Sequence, residues 1–309
     1  ARDDRIILLG EDVGVAGGVF RATEGLYEKF GPERVIDAPL AELSIIGVAI
    51  GAAAVGLRPI AEIEFADFIH PAFDQIVNEA AKLRYRSNGT WTSPLVIRTP
   101  YGGGIHGALY HSQSIEAYFT HSPGLKVVAP STPYDAKGLL RAALADPDPV
   151  LYLEHKRTYR SIKGEVPDDD YVVPIGQADV KRHGDDVTIF AYGMMMHEAL
   201  AAANQVEPEG IRVEVVDLRS LFPIDWETIF ASVRKTGKVC IVYEDSRTMG
   251  FGAEIAAEIA ERAFMDLDAP IVRVTGPDVP GIPFNEAGEA EFLPNASKIA
   301  TAVRKLARF

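Results

Sequence analysis

The chain is expected to fold as two doubly wound α/β domains, and three observations carry this reading. Short apolar runs of strand length alternate with longer segments of helical period, which implies parallel strands joined by crossover helices. The alternation fails once, between about residues 155 and 185, and then resumes. One helix, after a strand near residue 36, holds almost nothing but small and aliphatic residues, as a helix packed on every side would. We therefore place a first domain at residues 1–154, a linker at 155–185 and a second, smaller domain at 186–309. A chain of 309 residues has the material for two such cores.

In order, a strand at residues 6–9 runs into Gly10-Glu11-Asp12-Val13-Gly14, and Gly14, Gly17 and Gly18 mark a tightly turned segment. The next strand leads through Ala38-Pro39 to the apolar run at 43–57. There Gly47 and Gly51 would let another backbone come close, so this helix is expected to pack across a subunit interface. Its one ionisable neighbour is Glu42, at the helix start. Glu42 is either an exposed acid favoured by the helix dipole or a carboxyl beside an apolar interior, raised in pKa by desolvation. A strand at 58–63 precedes Glu64-Phe65-Ala66-Asp67-Phe68, and Pro71 suits the first turn of an amphipathic helix reaching about residue 86. The strand at 95–98 ends in a glycine-rich loop at 99–107, followed by a short helix at 114–118. A strand at 126–129, a helix at 134–145 and a strand at 150–153 complete the first domain. Lys156-Arg157, the triplet Asp168-Asp169-Asp170, Pro167 and Pro174 read as a linker. The second domain carries strands at 187–191, 212–217, 239–243 and 271–274. Its helices are expected at 198–206, after the cap Asp225 to 235, at 252–264 and at 296–307.

Composition excludes several classes. A net charge of −13 with no basic stripe argues against a nucleic-acid surface and suits a basic protein partner. The single cysteine, Cys240, cannot form an intramolecular disulfide, which points to a reducing compartment. Set in Val239-Cys240-Ile241-Val242, it reads as a small buried hydrophobe. No basic-then-apolar leader opens the chain, and the run at 43–57 is too short to cross a bilayer. No membrane partner is expected. Starting at Ala1 without Met, the chain is expected to lack a few leading residues.

The chemistry-bearing residues are sparse. Gly102-Gly103-Gly104 follows a strand but lacks the spacing and downstream acid of a dinucleotide site, and no phosphate loop occurs. His106, His111 and His121 fall close together, yet irregular spacing and the absence of a nearby cysteine argue against zinc. A loop histidine that donates a proton is the better reading, set against a histidine satisfied in the core or at the surface. Phe65, Phe68, Phe73 and Tyr85 read mostly as a core stripe, but Phe68 sits where a strand gives way to a loop. Glu42, Phe68, the glycine loop and His111 all follow successive strands. They should gather at the carboxyl edge of the sheet, where open α/β sheets bind ligands.

Several segments carry a resemblance: Leu9-Gly10-Glu11-Asp12-Val13-Gly14, Glu62-Ile63-Glu64-Phe65-Ala66-Asp67-Phe68, the run from Pro71 to Lys82, and His106-Gly107-Ala108-Leu109-Tyr110-His111-Ser112-Gln113-Ser114. Lys126-Val127-Val128-Ala129-Pro130, Asp135 to Leu140 and Val216-Asp217-Leu218-Arg219 extend it over essentially the whole chain. The sequence resembles the E1 β subunits of 2-oxo acid dehydrogenase complexes, in the transketolase-like, thiamine diphosphate-dependent superfamily. The wording from His106 to Ser114 is nearest the branched-chain type. The resemblance implies a transketolase-like pyrimidine-binding domain followed by a transketolase C-terminal-like domain. It implies thiamine diphosphate as cofactor, with Mg2+ held mainly by a separate α subunit, since this chain lacks the Gly-Asp-Gly…Asn pattern. The implied partners are that E1 α subunit, in an α2β2 heterotetramer, and a lipoyl-bearing E2 acyltransferase.

By the same resemblance Glu42 bonds the aminopyrimidine ring and promotes the imino tautomer that removes the thiazolium proton. Phe68 packs on that ring, where relatives often carry tyrosine. His111 lies near the bound intermediate. Leu95, Val96, Ala143, Asp146 and Asp148 match a structural potassium site of hard oxygen ligands, against which stands a plain turn at Asp146-Pro147-Asp148-Pro149. The expected compartment is the cytoplasm of a bacterium or archaeon, or the mitochondrial matrix of a eukaryote. The C-terminal domain is expected to meet E2, with Glu286, Glu289, Glu291 and Phe309 as anchors. The rival readings are a pyruvate- or acetoin-type β subunit and a non-catalytic docking subunit.

Overall fold

The computed structural model describes all 309 residues. Twelve strands form two sheets. In chain order they are β1 (Ile6–Gly10), β2 (Val35–Asp37), β3 (Arg58–Glu62), β4 (Val96–Tyr101), β5 (Lys126–Val128), β6 (Val150–His155), β7 (Asp179–Arg182), β8 (Val187–Ala191), β9 (Val213–Asp217), β10 (Ser220–Phe222), β11 (Val239–Ser246) and β12 (Val272–Gly276). The first sheet runs β10-β5-β6-β4-β3-β1-β2 and the second β12-β11-β8-β9-β7. Helices separate the parallel strands in both, so the doubly wound α/β class expected from the alternation is the one found.

Two short strands were not expected, and each pairs antiparallel at a sheet edge. β7, inside the stretch read as linker, pairs with β9. β10, from beyond residue 186, pairs with β5 and so extends the sheet of the first domain. Their runs are too short, and their burial too dependent on the neighbouring strand, to show as periodicity. The two sheets also share one apolar interior. A cluster of 38 buried residues joins Ile7, Ile46 and Leu95 to Phe190, Val216 and Tyr243. A second cluster lies under the helices Met194–Val206 and Ala296–Leu306. Cys240 belongs to it, fully buried, and burial pushes its thiol up to about 12.

Three expectations need correction. The apolar helix, Glu42–Ala54, is not buried all round: Ile45, Ile46, Ala49 and Ala53 face the core, while Leu43 is 49% and Val48 61% exposed. No other element of the chain covers that outer face, which continues into exposed Leu40 and Val55. The segment expected as one amphipathic helix at 71–86 is broken. It enters as a tight turn at His70–Ala72, widens to a π-helix at Gln75–Ala80 and ends as Leu83–Arg86. Such π-turns recur beside functional sites. In the aromatic stripe, Tyr85 is 92% exposed and belongs to no core.

A buried ion network fixes the adjoining ends of β3, β4 and β6. Glu62 stands opposite Arg98 in the β3–β4 register. The Arg98 guanidinium pairs with Glu62 and, at 2.5 Å, with Glu154, and it donates to the Tyr159 hydroxyl at 3.2 Å. Burial works against that charge, but Glu154, Tyr159 and Glu62 together hold Arg98 protonated well above its usual range.

Candidate active site

The parallel order β4-β3-β1-β2 brings four carboxyl ends to one edge. β1 delivers Glu11, β2 the start of the helix carrying Glu42, β3 the run from Glu64 to Phe68, and β4 the glycine loop leading to His111. At the exit of β4 the backbone turns at Gly102 with φ +87°, and a Cβ there would lie 2.2 Å from the His155 ring. Only glycine fits that turn.

The first group on this edge is acidic. Glu42 is half-buried in the first helical turn, with Glu11 and Glu64 as charged neighbours. Glu64 is pushed up to about 7, first by burial and then by the charge of Glu11, with Asp12, Glu62 and Glu42 adding. Glu11 is raised by burial and by Glu42, against a hydrogen bond from the Ala41 backbone N–H. Glu11 Oε1 is buried with no protein partner. A half-buried set of carboxyls in this state has free capacity to hydrogen-bond a polar ligand.

The second group is aromatic. His111 meets Phe65 edge-on at 4.7 Å between ring centres and Phe68 at 5.4 Å, and the two phenyl rings lie 5.5 Å apart. Edge-to-face contacts of this kind fix ring orientation. Asp67 ties down the same loop, its Oδ1 accepting from the backbone N–H of Ser112 at 3.2 Å and of Gln113 at 3.0 Å.

The second domain holds the other end of that loop. Gly103 N donates to Glu244 Oε2 at 2.8 Å, and Gly104 N to Glu289 Oε1 at 2.7 Å. Glu289 also pairs with His106 Nδ1 at 2.7 Å and is 3% exposed. It is therefore a loop clamp rather than a surface anchor, whereas Glu286, Glu291 and Phe309 are exposed. The three histidines do not converge: His106 is committed to Glu289, His111 to the phenylalanines, and His121 lines a cleft of about 870 Å³ elsewhere. No group of three or more His, Cys, Asp or Glu side chains is placed to hold a metal ion.

The residues expected to hold potassium have other partners. Asp146 takes Lys126 Nζ on both oxygens, at 2.7 and 2.5 Å, and Asp148 takes Arg84 Nε at 2.5 Å. The Leu95 and Ala143 carbonyls accept Val150 N and Asp146 N, and Val96 begins β4 beside them. One ammonium and one guanidinium group thus occupy the two carboxylates.

Glu11, Glu64, Phe65 and Asp67 were missed as site residues. Glu11 and Glu64 each follow a strand of this edge, which was the available signal. Phe65 was absorbed into the core stripe, and nothing in the sequence marks the bond from Asp67 to a loop 45 residues away.

Two domains of this kind, joined over a ligand edge built from strand ends, define a transketolase-like chain. Residues 1–161 match the transketolase pyrimidine-binding domain and residues 176–299 the transketolase C-terminal domain. The chain belongs to this family, among the E1 β subunits of 2-oxo acid dehydrogenases. It is 60% identical over 308 residues to the 2-oxoisovalerate dehydrogenase subunit beta of Bacillus subtilis (strain 168), covering 100% of this chain and 94% of that one. It is 49% identical over 307 residues to the pyruvate dehydrogenase E1 component subunit beta of the same organism, covering 99% and 94%. A solved structure named "Split gene transketolase, inactive beta4 tetramer" superposes with a TM-score of 0.79 at 30% identity, over 99% of this chain and 93% of that one. No helix is long and apolar enough to cross a membrane.

Proposed function

We propose that this chain is the β subunit of an E1 component that decarboxylates branched-chain 2-oxo acids and passes the acyl group to lipoyl-E2. It supplies the pyrimidine-binding half of a thiamine diphosphate site. The observation that carries this is the shared edge of Glu42, Glu11 and Glu64 with Phe65, Phe68 and His111. The acids, and the partnerless Glu11 Oε1 above all, fit the amine and ring nitrogens of an aminopyrimidine. When bound, the cofactor supplies a thiazolium carbon that attacks the 2-oxo group and stores the electrons left by carbon dioxide.

This chain's own residues do the rest. Glu42 places its carboxyl against the ring, orients it and exchanges a proton with it. Phe68 stacks there without the hydroxyl a tyrosine would add. His111, fixed by the two phenyl rings, delivers or accepts a proton at the reacting carbon's substituents. Diphosphate and Mg2+ fall to an α subunit in an α2β2 assembly. The exposed apolar face of Leu40, Leu43, Val48 and Val55 is where a partner subunit seats. A Cβ at Gly51 would meet nothing within 4 Å and one at Gly47 only Gln75 Oε1 at 3.8 Å, so packing within this chain requires neither glycine and their close approach serves a partner. The relative named for 2-oxoisovalerate, at 60% identity against 49% for pyruvate, supports the branched-chain assignment. Exposed Glu286, Glu291 and Phe309 are the surface offered to E2.

Purified alone, the chain should show no 2-oxo acid decarboxylation. Co-expression with its α subunit should restore turnover, faster on 2-oxoisovalerate than on pyruvate. Turnover by the single chain would overturn the split-site reading, and preference for pyruvate the substrate assignment. His111→Ala in the assembled enzyme should cost roughly 10²-fold in decarboxylation or acyl transfer while leaving cofactor affinity nearly unchanged. Single-turnover kinetics separates those steps, and wild-type rates in both would remove His111 from the chemistry.

A further inference from the structure

Lys156 is the most unusual charged group in the molecule. It follows β6 directly, is 3% exposed, and its Nζ has no hydrogen-bond partner in the protein. The ammonium lies 5.7 Å from the centre of the Phe65 ring, on the aromatic group that holds His111. Two buried carboxylates act on it, Asp67 and Glu244. Asp67 Oδ2 is likewise buried without a partner.

Those two carboxylates are the ones that clamp the loop carrying His111. Asp67 holds its far end through Ser112 N and Gln113 N. Glu244, from β11 of the second sheet, holds its near end through Gly103 N and also accepts from His155 Nε2 at 2.8 Å. The third clamp, Glu289, has His106 Nδ1 as its own partner at 2.7 Å. Without Lys156, Asp67 would be a buried carboxylate with no counter-charge, and Glu244 would have only His155 and, nearby, Arg157. An uncompensated buried carboxylate is driven to rearrange toward water, and here that movement releases the loop amides.

We infer that Lys156 is a positioning residue for His111: its single buried ammonium balances Asp67 and Glu244 and so pins both ends of the 102–114 loop. The assignment of a reaction step to that loop rests on the function proposed above, but the pinning itself does not. Burial pulls the Lys156 ammonium down to about 8, against the pull of Asp67 and then Glu244, which places its cost in the same balance.

The test is amide hydrogen exchange on the full chain, followed at Ser112, Gln113 and Gly103 and at core amides of β4 as the internal standard. Lys156→Met should speed exchange at the loop amides by roughly tenfold while the β4 amides stay unchanged. Adding Asp67→Asn should restore most of the protection at Ser112 and Gln113, because the neutral amide still accepts their hydrogen bonds. In the assembled enzyme Lys156→Met should lower kcat with little change in KM for the 2-oxo acid. Exchange at wild-type rates, a rise shared equally by β4, or no recovery in the double variant would overturn the inference. If Lys156→Met does not fold, folding of the double variant supports the charge balance and its failure refutes it. Loop exchange that responds as stated in an enzyme without 2-oxo acid turnover would leave the pinning intact and reject the proposed function instead.

Discussion

Glu42→Gln in the assembled enzyme should slow hydrogen exchange at the cofactor's thiazolium carbon by about 10²–10⁴, the usual worth of a lost proton-transfer group. Folding should barely notice. Glu42 is half-buried in the first turn of the helix Glu42–Ala54, whose N-cap residue, Ala41, makes no side-chain capping bond. As a first-turn acid its charge is worth about 0.3–1 kcal/mol, and glutamine keeps its shape. The same substitution relieves repulsion from Glu11 and Glu64, whose carboxyls are both raised in part by Glu42. A structural role therefore predicts unchanged or improved stability with normal exchange, and a catalytic role predicts normal stability with slow exchange. Nuclear magnetic resonance of quenched samples measures the exchange, and thermal melting the stability. An exchange rate equal to wild type would return Glu42 to the role of an ordinary helix-start acid.

The fold class was legible because parallel strands and crossover helices write two distinct periods into the chain. The edge strands β7 and β10 were not, since three or four residues carry no period and their pairing depends on β9 and β5. Glu42, Phe68 and His111 could be placed on one edge because each follows a strand of one sheet, and the roles proposed for them come from the resemblance. The burial of the helix behind Glu42 was misjudged for a physical reason. An all-apolar sequence says that both faces will be covered, but not whether this chain or another covers them. Glu289 shows the converse case: three acids in one short helix look alike in sequence, and only the arrival of the glycine loop separates the buried clamp from its exposed neighbours. The charge balance around Lys156 is of the same kind, built from residues 67, 156 and 244 that no local pattern connects.

Arg98→Met should be the most damaging single change to the scaffold beneath the site. Arg98 is 7% exposed and faces Glu62, Glu154 and the Tyr159 hydroxyl. Methionine fills much of the volume, so the loss is electrostatic: two buried carboxylates remain with no cation between them. Breaking a buried pair from one side costs about 3–5 kcal/mol, a large share of a typical stability of about 5–15 kcal/mol. The sign of its pH dependence follows from the same groups. Glu62 is already raised above 4.5 by burial, with the charge of Arg98 opposing that rise. Removing the arginine takes away that opposition and raises Glu62 further. A carboxyl raised in the folded state imposes no penalty below its unfolded pKa and a full one above its folded pKa. The variant should therefore approach wild-type stability near pH 4 and fall progressively behind it toward pH 8. Adding Glu62→Gln and Glu154→Gln should recover more than half of the loss at pH 8 and flatten the profile. Denaturant midpoints across that range decide the matter: a loss below about 1 kcal/mol at pH 8, or one that does not change with pH, would mean that packing rather than this ion network holds the ends of β3, β4 and β6 together.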